Sequence, residues 1–184
     1  MYSSRRASAT RSAPAGPVAS IKMTPGSRIP AVQAYWHKFC RARSVAANQR
    51  YDVFAFGDTA ALADELLALV LAGPKRATAA LVMHFERAGD PLPEPGIHSV
   101  VLNGRGQPGC IIRTTEVTVR PFDQVDARFA WDEGEDDRTL TSWRAGHRRY
   151  FTRQCLGWGI SFDERMPVVL ERFELVWPDR PQPV

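Results

Sequence analysis

A chain of 184 residues has room for one core, since domains cluster at roughly 100 to 150 residues, with some length left for tails. Apolar residues make up 44% and aromatics 10%, enough for a packed interior, and no run approaches the roughly 18 to 20 apolar residues of a membrane span. The formal charge of +4 comes from the first 22 residues, where Arg5, Arg6, Arg11 and Lys22 stand without an acid; the rest holds 20 basic against 20 acidic residues, which does not support uniform attraction to phosphate.

Residues 1–28 are rich in Ser, Ala, Arg, Pro and Gly and nearly free of large apolar side chains, so they are expected to form a disordered basic tail. The stretch has no apolar h-region for secretion; its Arg, Ser and Ala content resembles a transit peptide, and Met23 is an alternative start. A single domain is expected over residues 29–178, followed by a short tail at 179–184. Cys40, Cys110 and Cys155 are scattered, odd in number and without zinc spacing, which fits a reducing cytoplasm and a structural role for each.

Val32, Tyr35, Trp36, Phe39 and Cys40 recur at helical spacing and predict a first helix up to Arg43. Asp58 or Thr59 caps a second through Leu62, Leu66, Leu69 and Val70, and Gly73-Pro74 stops it. A short strand follows Lys75, then an extended loop enforced by Pro91, Pro93 and Pro95. Ser99 to Leu102 and Cys110 to Val119 read as strands joined through Asn103-Gly104-Arg105-Gly106. In the second of these, Cys110, Ile112, Thr114, Glu116 and Thr118 share one face by alternation, but neither face is cleanly apolar. The acidic run from Asp132 to Asp137 leads into a third helix near Arg138, with Leu140, Trp143, His147, Tyr150 and Phe151 on one stripe. A last strand spans Pro167 to Trp177, giving an α+β fold with a small sheet or barrel and two or three flanking helices.

Chemistry concentrates in two segments, Lys75 to Thr78 and Thr114 to Val117, which bring an amine, a hydroxyl and a carboxylate within reach of one pocket. A threonine hydroxyl needs a base to become a nucleophile, and a lysine serves only if its pKa is pulled down from about 10.4. Glu116 could orient Lys75 or relay protons, yet such a pairing also holds the lysine charged. A charged Lys75 would instead bind phosphate, stabilise an oxyanion, or complement the end of the second helix. Thr78 and Glu116 also fit ordinary strand positions, and His147 a histidine at the edge of the core. The acidic run offers oxygen ligands for a hard cation, but it matches no calcium-loop spacing and reads more simply as a solvated loop.

Phe56-Gly57-Asp58-Thr59, Ala63-Asp64-Glu65-Leu66, Gly73-Pro74-Lys75-Arg76-Ala77-Thr78, Pro121-Phe122 and Trp143-Arg144-Ala145-Gly146-His147 follow one another as in the ASCH domain family, which the chain resembles from about residue 30 to 177. The resemblance implies a PUA-like β-barrel and an association with RNA. One bacterial branch has a Lys-x-x-Thr element and a distant strand Glu that hydrolyse the acetyl amide of N4-acetylcytidine; by motif these places fall to Lys75, Thr78 and Glu116, with Trp143, Arg144 and His147 as substrate contacts. The expected partner is thus RNA or a modified pyrimidine nucleoside, with no cofactor. Two further readings stay open: a non-catalytic RNA-binding module, and a single-stranded RNA nuclease dependent on a divalent metal.

Overall fold

The computed structural model describes residues 29–179; the basic tail at residues 1–28, with its alternative start at Met23, and the chain end at residues 180–184 lie outside the described residues. Three long helices stand where the periodicity puts them: α1 (Pro30–Arg43), α2 (Ala60–Ala72) and α5 (Leu140–Gly157). Two shorter ones, α3 (Val82–Ala88) and α4 (Ala127–Glu133), join them. The strands are β1 (Tyr51–Ala55), β2 (Ala77–Leu81), β3 (His98–Leu102), β4 (Pro108–Pro121) and β5 (Pro167–Trp177).

Local chemistry accounts for the boundaries. Thr59 caps α2 by accepting from the Leu62 amide at 3.2 Å, and Gly73 ends it in the left-handed region at φ 107°. Asp126 caps α4 through the Phe129 amide at 2.8 Å. Asn103 folds the β3–β4 loop over its own side chain, whose oxygen accepts from the Arg105 and Gln107 amides, both at 2.9 Å.

The sheet runs in the order β1-β3-β4-β5-β2, antiparallel except where β1 lies parallel to β3. Register shifts interrupt β4 opposite both neighbours, and such bulges bend a strand and increase its twist. α1 covers one face of β1 and β3, where Trp36 stacks on Tyr51 at 4.3 Å between ring centroids. α2 covers the opposite face through Leu66, Leu67 and Val70 against Val101, Ile112 and Phe173. At the other end, α4 and α5 bury Phe129, Trp143 and Phe151 against Ala77, Ala79, Val168 and Leu170. The turn after α2 and the loop between α4 and α5 meet between these clusters, where the Arg76 amide donates to the Asp132 carbonyl at 2.8 Å.

Candidate functional site

Lys75 follows the left-handed Gly73 and the ring of Pro74, so its backbone turns inward as β2 begins, and its side chain is only 1% exposed. A buried ammonium is costly unless it is paired. Two carboxylates meet it: Glu135 Oε1 at 2.5 Å and Glu133 Oε1 at 3.6 Å, and the Phe56 ring lies 5.2 Å from Nζ.

Glu133 is itself 1% exposed. Its Oε1 accepts from the Ala79 amide at 3.1 Å and lies 3.3 Å from His147 Nε2, while Oε2 accepts from the Trp143 indole. Burial alone would push this carboxyl up, but the charges of His147 and Lys75, with the hydrogen bonds from His147 and Trp143, hold it down at about 2. The run expected to be a solvated approach to a helix therefore contributes a fully buried carboxylate. Its other acids also face the protein's own groups: Asp132 pairs with Arg172 at 3.0 Å, and Asp137 accepts from Thr139 and Ser142.

His147 Nδ1 lies 3.1 Å from the Trp143 carbonyl, which only accepts, and Nε2 faces a carboxylate, which also only accepts. The doubly protonated ring satisfies both contacts. Burial works against that charge, but Glu133 outweighs it and raises the imidazole above its usual 6.5. Trp143 is sandwiched between His147, 4.2 Å away and 15° from parallel, and Phe122 at 5.3 Å. Both indole faces are thus occupied.

The signs of these shifts set a stability profile. A raised His147 contributes stability that is complete below 6.5 and lost as pH rises through its folded value. A depressed Glu133 contributes stability that is complete above 4.5 and lost as pH falls toward about 2. The contribution of these two groups to urea-unfolding stability is expected to be greatest between 4.5 and 6.5, with His98, whose burial lowers its imidazole below 6.5, working against it as pH falls. His147→Asn is expected to flatten the alkaline limb; an unchanged limb would assign it to other groups.

Gly134 makes this loop possible. It has φ 71°, and a Cβ there would fall on the Pro74 carbonyl, so the chain between Glu133 and Glu135 passes directly over the turn carrying Lys75. Gly134→Ala is expected to cost more than about 2 kcal/mol in urea unfolding, the left-handed penalty adding to a backbone clash.

In front of this network lies a cavity of about 380 Å³. Thr78 and Ala80 of β2, Glu171 of β5, and Asp52 and Ser99 of β1 and β3 line the sheet side; Phe54, Phe56 and Leu66 add apolar surface, and Glu133, His147 and Tyr150 face it from the helices. Thr78 and Glu171 are register partners on adjacent strands, so their side chains stand on one face. Glu171 Oε1 also accepts from Thr114 Oγ1 at 2.5 Å.

The structure therefore brings Thr78, Trp143 and His147 to one cavity and places Lys75 behind it, against Glu133 and Glu135. It does not bring Glu116 there. The β4 register jumps from Thr114 opposite Phe173 to Glu116 opposite Arg172, so the bulge at Thr115 sends Glu116 to the face opposite Thr114. Glu116 pairs there with Arg172 at 3.2 Å, with its side chain 53% exposed. Arg144 also lies outside the cavity lining, donating to the Asp123 and Val125 carbonyls at 2.9 and 3.3 Å. Glu133 and Glu171, like Asp52 and Glu135, are carboxylates that sequence reasoning does not assign to the site. Glu133 stands within the acidic run that was read as solvated, and strand alternation gives no sign of Glu171's role because Val168, Val169 and Leu170 before it are all buried.

Comparison with known proteins agrees with this architecture. The model of the ASCH domain family matches residues 52–177. A crystal structure of an ASCH domain from Lactobacillus crispatus JV V101 is 34% identical, with a TM-score of 0.73, covering 80% of this chain and 94% of its own. A protein from Enterococcus faecalis V583 is 31% identical, with a TM-score of 0.74, covering 80% of this chain and 88% of its own. No curated protein matches. ASCH domains form a PUA-like family of RNA-binding modules, and with the family model spanning the sheet, α2 to α5 and the cavity, this chain belongs to the ASCH domain family.

Proposed function

We propose that the cavity binds a single nucleobase with its sugar, free or within RNA. The observation that carries this reading is the cavity itself, about 380 Å³ and within the roughly 300 to 1,000 Å³ of small-molecule sites, with apolar walls and a few convergent polar groups. Phe54, Phe56 and Tyr150 offer surface to a flat ring, and Thr78, Ser99, Asp52 and Glu171 offer donors and acceptors to its edge. Lys75 acts from behind as a positioning residue, holding Glu133 and Glu135 in place and with them His147. Calorimetric titration with the common nucleosides tests the reading; heat that saturates supports it, and none with any nucleoside opposes it.

The pairing of Thr78 with Glu171 favours a second reading, hydrolysis of an amide on an acylated cytidine. Here Glu171 takes the proton as Thr78 Oγ attacks the amide carbonyl, the C–N bond breaks, and the amine leaves with that proton. Water then cleaves the acyl ester and restores the hydroxyl. This puts Glu171 where the resemblance puts Glu116, and leaves Lys75 out of the reaction, since its amine lies behind the cavity against Glu133 and Glu135 and not in the lining. Mass-spectrometric turnover of N4-acylated cytidines is expected to fall by about 10² to 10⁴ in both Thr78→Ala and Glu171→Gln while Glu116→Ala retains it. Turnover that survives in Thr78→Ala removes the nucleophile, and loss in Glu116→Ala restores the motif-based assignment. Metal-assisted cleavage of RNA is the weaker alternative, because Asp132, Glu133 and Glu135 face the protein's own cations.

A further inference from the structure

The cavity lies between two helices that belong to different apolar clusters. α2 gives it Leu62, Leu66 and Leu69 and packs with Val101, Ile112 and Phe173. α5 gives it Gly146, Tyr150 and Arg153 and packs with Phe122, Phe129 and Leu170. The seam between these helices can therefore widen without either cluster being unpacked. An ion pair crosses it. Arg153 of α5 donates through Nε at 3.2 Å and a terminal nitrogen at 2.8 Å to Asp58 Oδ2, and Asp58 stands one residue before Thr59, the cap of α2. Arg153 lines the cavity yet leaves its side chain 55% exposed, which puts the pair at the mouth. Glu65 of α2, Asp136 and Arg149 also line the cavity, and none of these three has an ion pair among the described residues. Charges of both signs thus surround the mouth, and geometry singles out Asp58 and Arg153, where two guanidinium nitrogens meet one carboxylate.

We infer that Asp58 and Arg153 form a latch across the mouth, holding the start of α2 against α5 and opening to admit whatever the cavity binds. The inference goes beyond the nucleobase reading and does not depend on it. A half-exposed pair is weak enough to break often, and salt weakens it further. Because the pair is free to re-form once a ligand is inside, it slows entry and exit alike and leaves affinity unchanged. Loops and helix ends that seal a cavity in this way set the rate of exchange with solvent.

A thiol inside the cavity tests the latch without any ligand. Ala80→Cys places one on the β2 wall, while the chain's own Cys40, Cys110 and Cys155 are buried. Labelling of this protein by pyrene maleimide, a bulky uncharged reagent, is followed by mass in the Asp58→Asn, Arg153→Gln and doubly changed backgrounds, with methyl methanethiosulfonate as the small uncharged reference. Either single change is expected to speed the bulky reagent by about two- to fivefold, the range an exposed pair supplies, and the double change no more than either single. Added salt is expected to speed it while the pair is intact and to have no effect once Arg153 is replaced. The small reagent is expected to react at one rate throughout. Equal rates with and without the pair, gains that add in the double change, or an equal gain with the small reagent overturn the latch. Labelling at position 80 that proceeds only in step with Cys110 and Cys155 overturns it too, since it reports unfolding of the whole domain. Each of these outcomes leaves the nucleobase reading standing, because no nucleoside takes part.

Discussion

Glu133→Ala is expected to destabilise the protein by about 3 to 5 kcal/mol, the usual cost of removing one partner from a buried ion pair. The change strands several groups at once. Lys75, 1% exposed, keeps only Glu135; His147 loses the carboxylate that favours its charge; and the Trp143 indole and the Ala79 amide lose their acceptor. Each orphaned donor adds desolvation that the folded state no longer offsets. Urea unfolding near neutral pH reads the loss directly. Glu116→Ala is the matched control: its pair with Arg172 is half exposed, and such pairs contribute about 0 to 1 kcal/mol. A loss at Glu133 no larger than at Glu116 would mean that the buried network does not hold this end of the domain together.

Ala80→Trp is expected to abolish nucleoside binding while leaving the fold intact. Ala80 lies on β2 and lines the cavity, so an indole there projects into open volume instead of packed core. Large aromatic side chains suit strands, which argues against unfolding as the cause of any loss. An affinity drop of more than about a hundredfold, about 2.7 kcal/mol, is expected with an unchanged unfolding midpoint. Binding that persists in this variant would put the ligand on another surface.

How much of this arrangement the sequence discloses depends on the length over which a pattern persists. α1, α2 and α5 are long enough for apolar periodicity to emerge, and Thr59 and Gly73 mark the ends of α2. β1, α3 and α4 span five to seven residues, too short for either period to stand out. In the site, Lys75, Thr78, Trp143 and His147 are recognisable from motif and stripe. The partners of Lys75 are not, because its link to Glu133 spans 58 positions and depends on Gly134 crossing over Pro74. Strict alternation along β4 puts Glu116 on the face of Thr114, and only the bulge at Thr115 reveals the reversal.

The central claim is that the concave face carrying Thr78 and Glu171 is the ligand site, with Lys75 and Glu133 as its buried support. Chemical-shift mapping of the isotope-labelled protein during titration with cytidine tests it most directly. The account expects saturable shifts at Thr78, Ser99, Tyr150, His147 and Glu171, with Glu116 and Arg172 silent. Shifts concentrated on Glu116 and its neighbours, with the cavity residues unmoved, would contradict it.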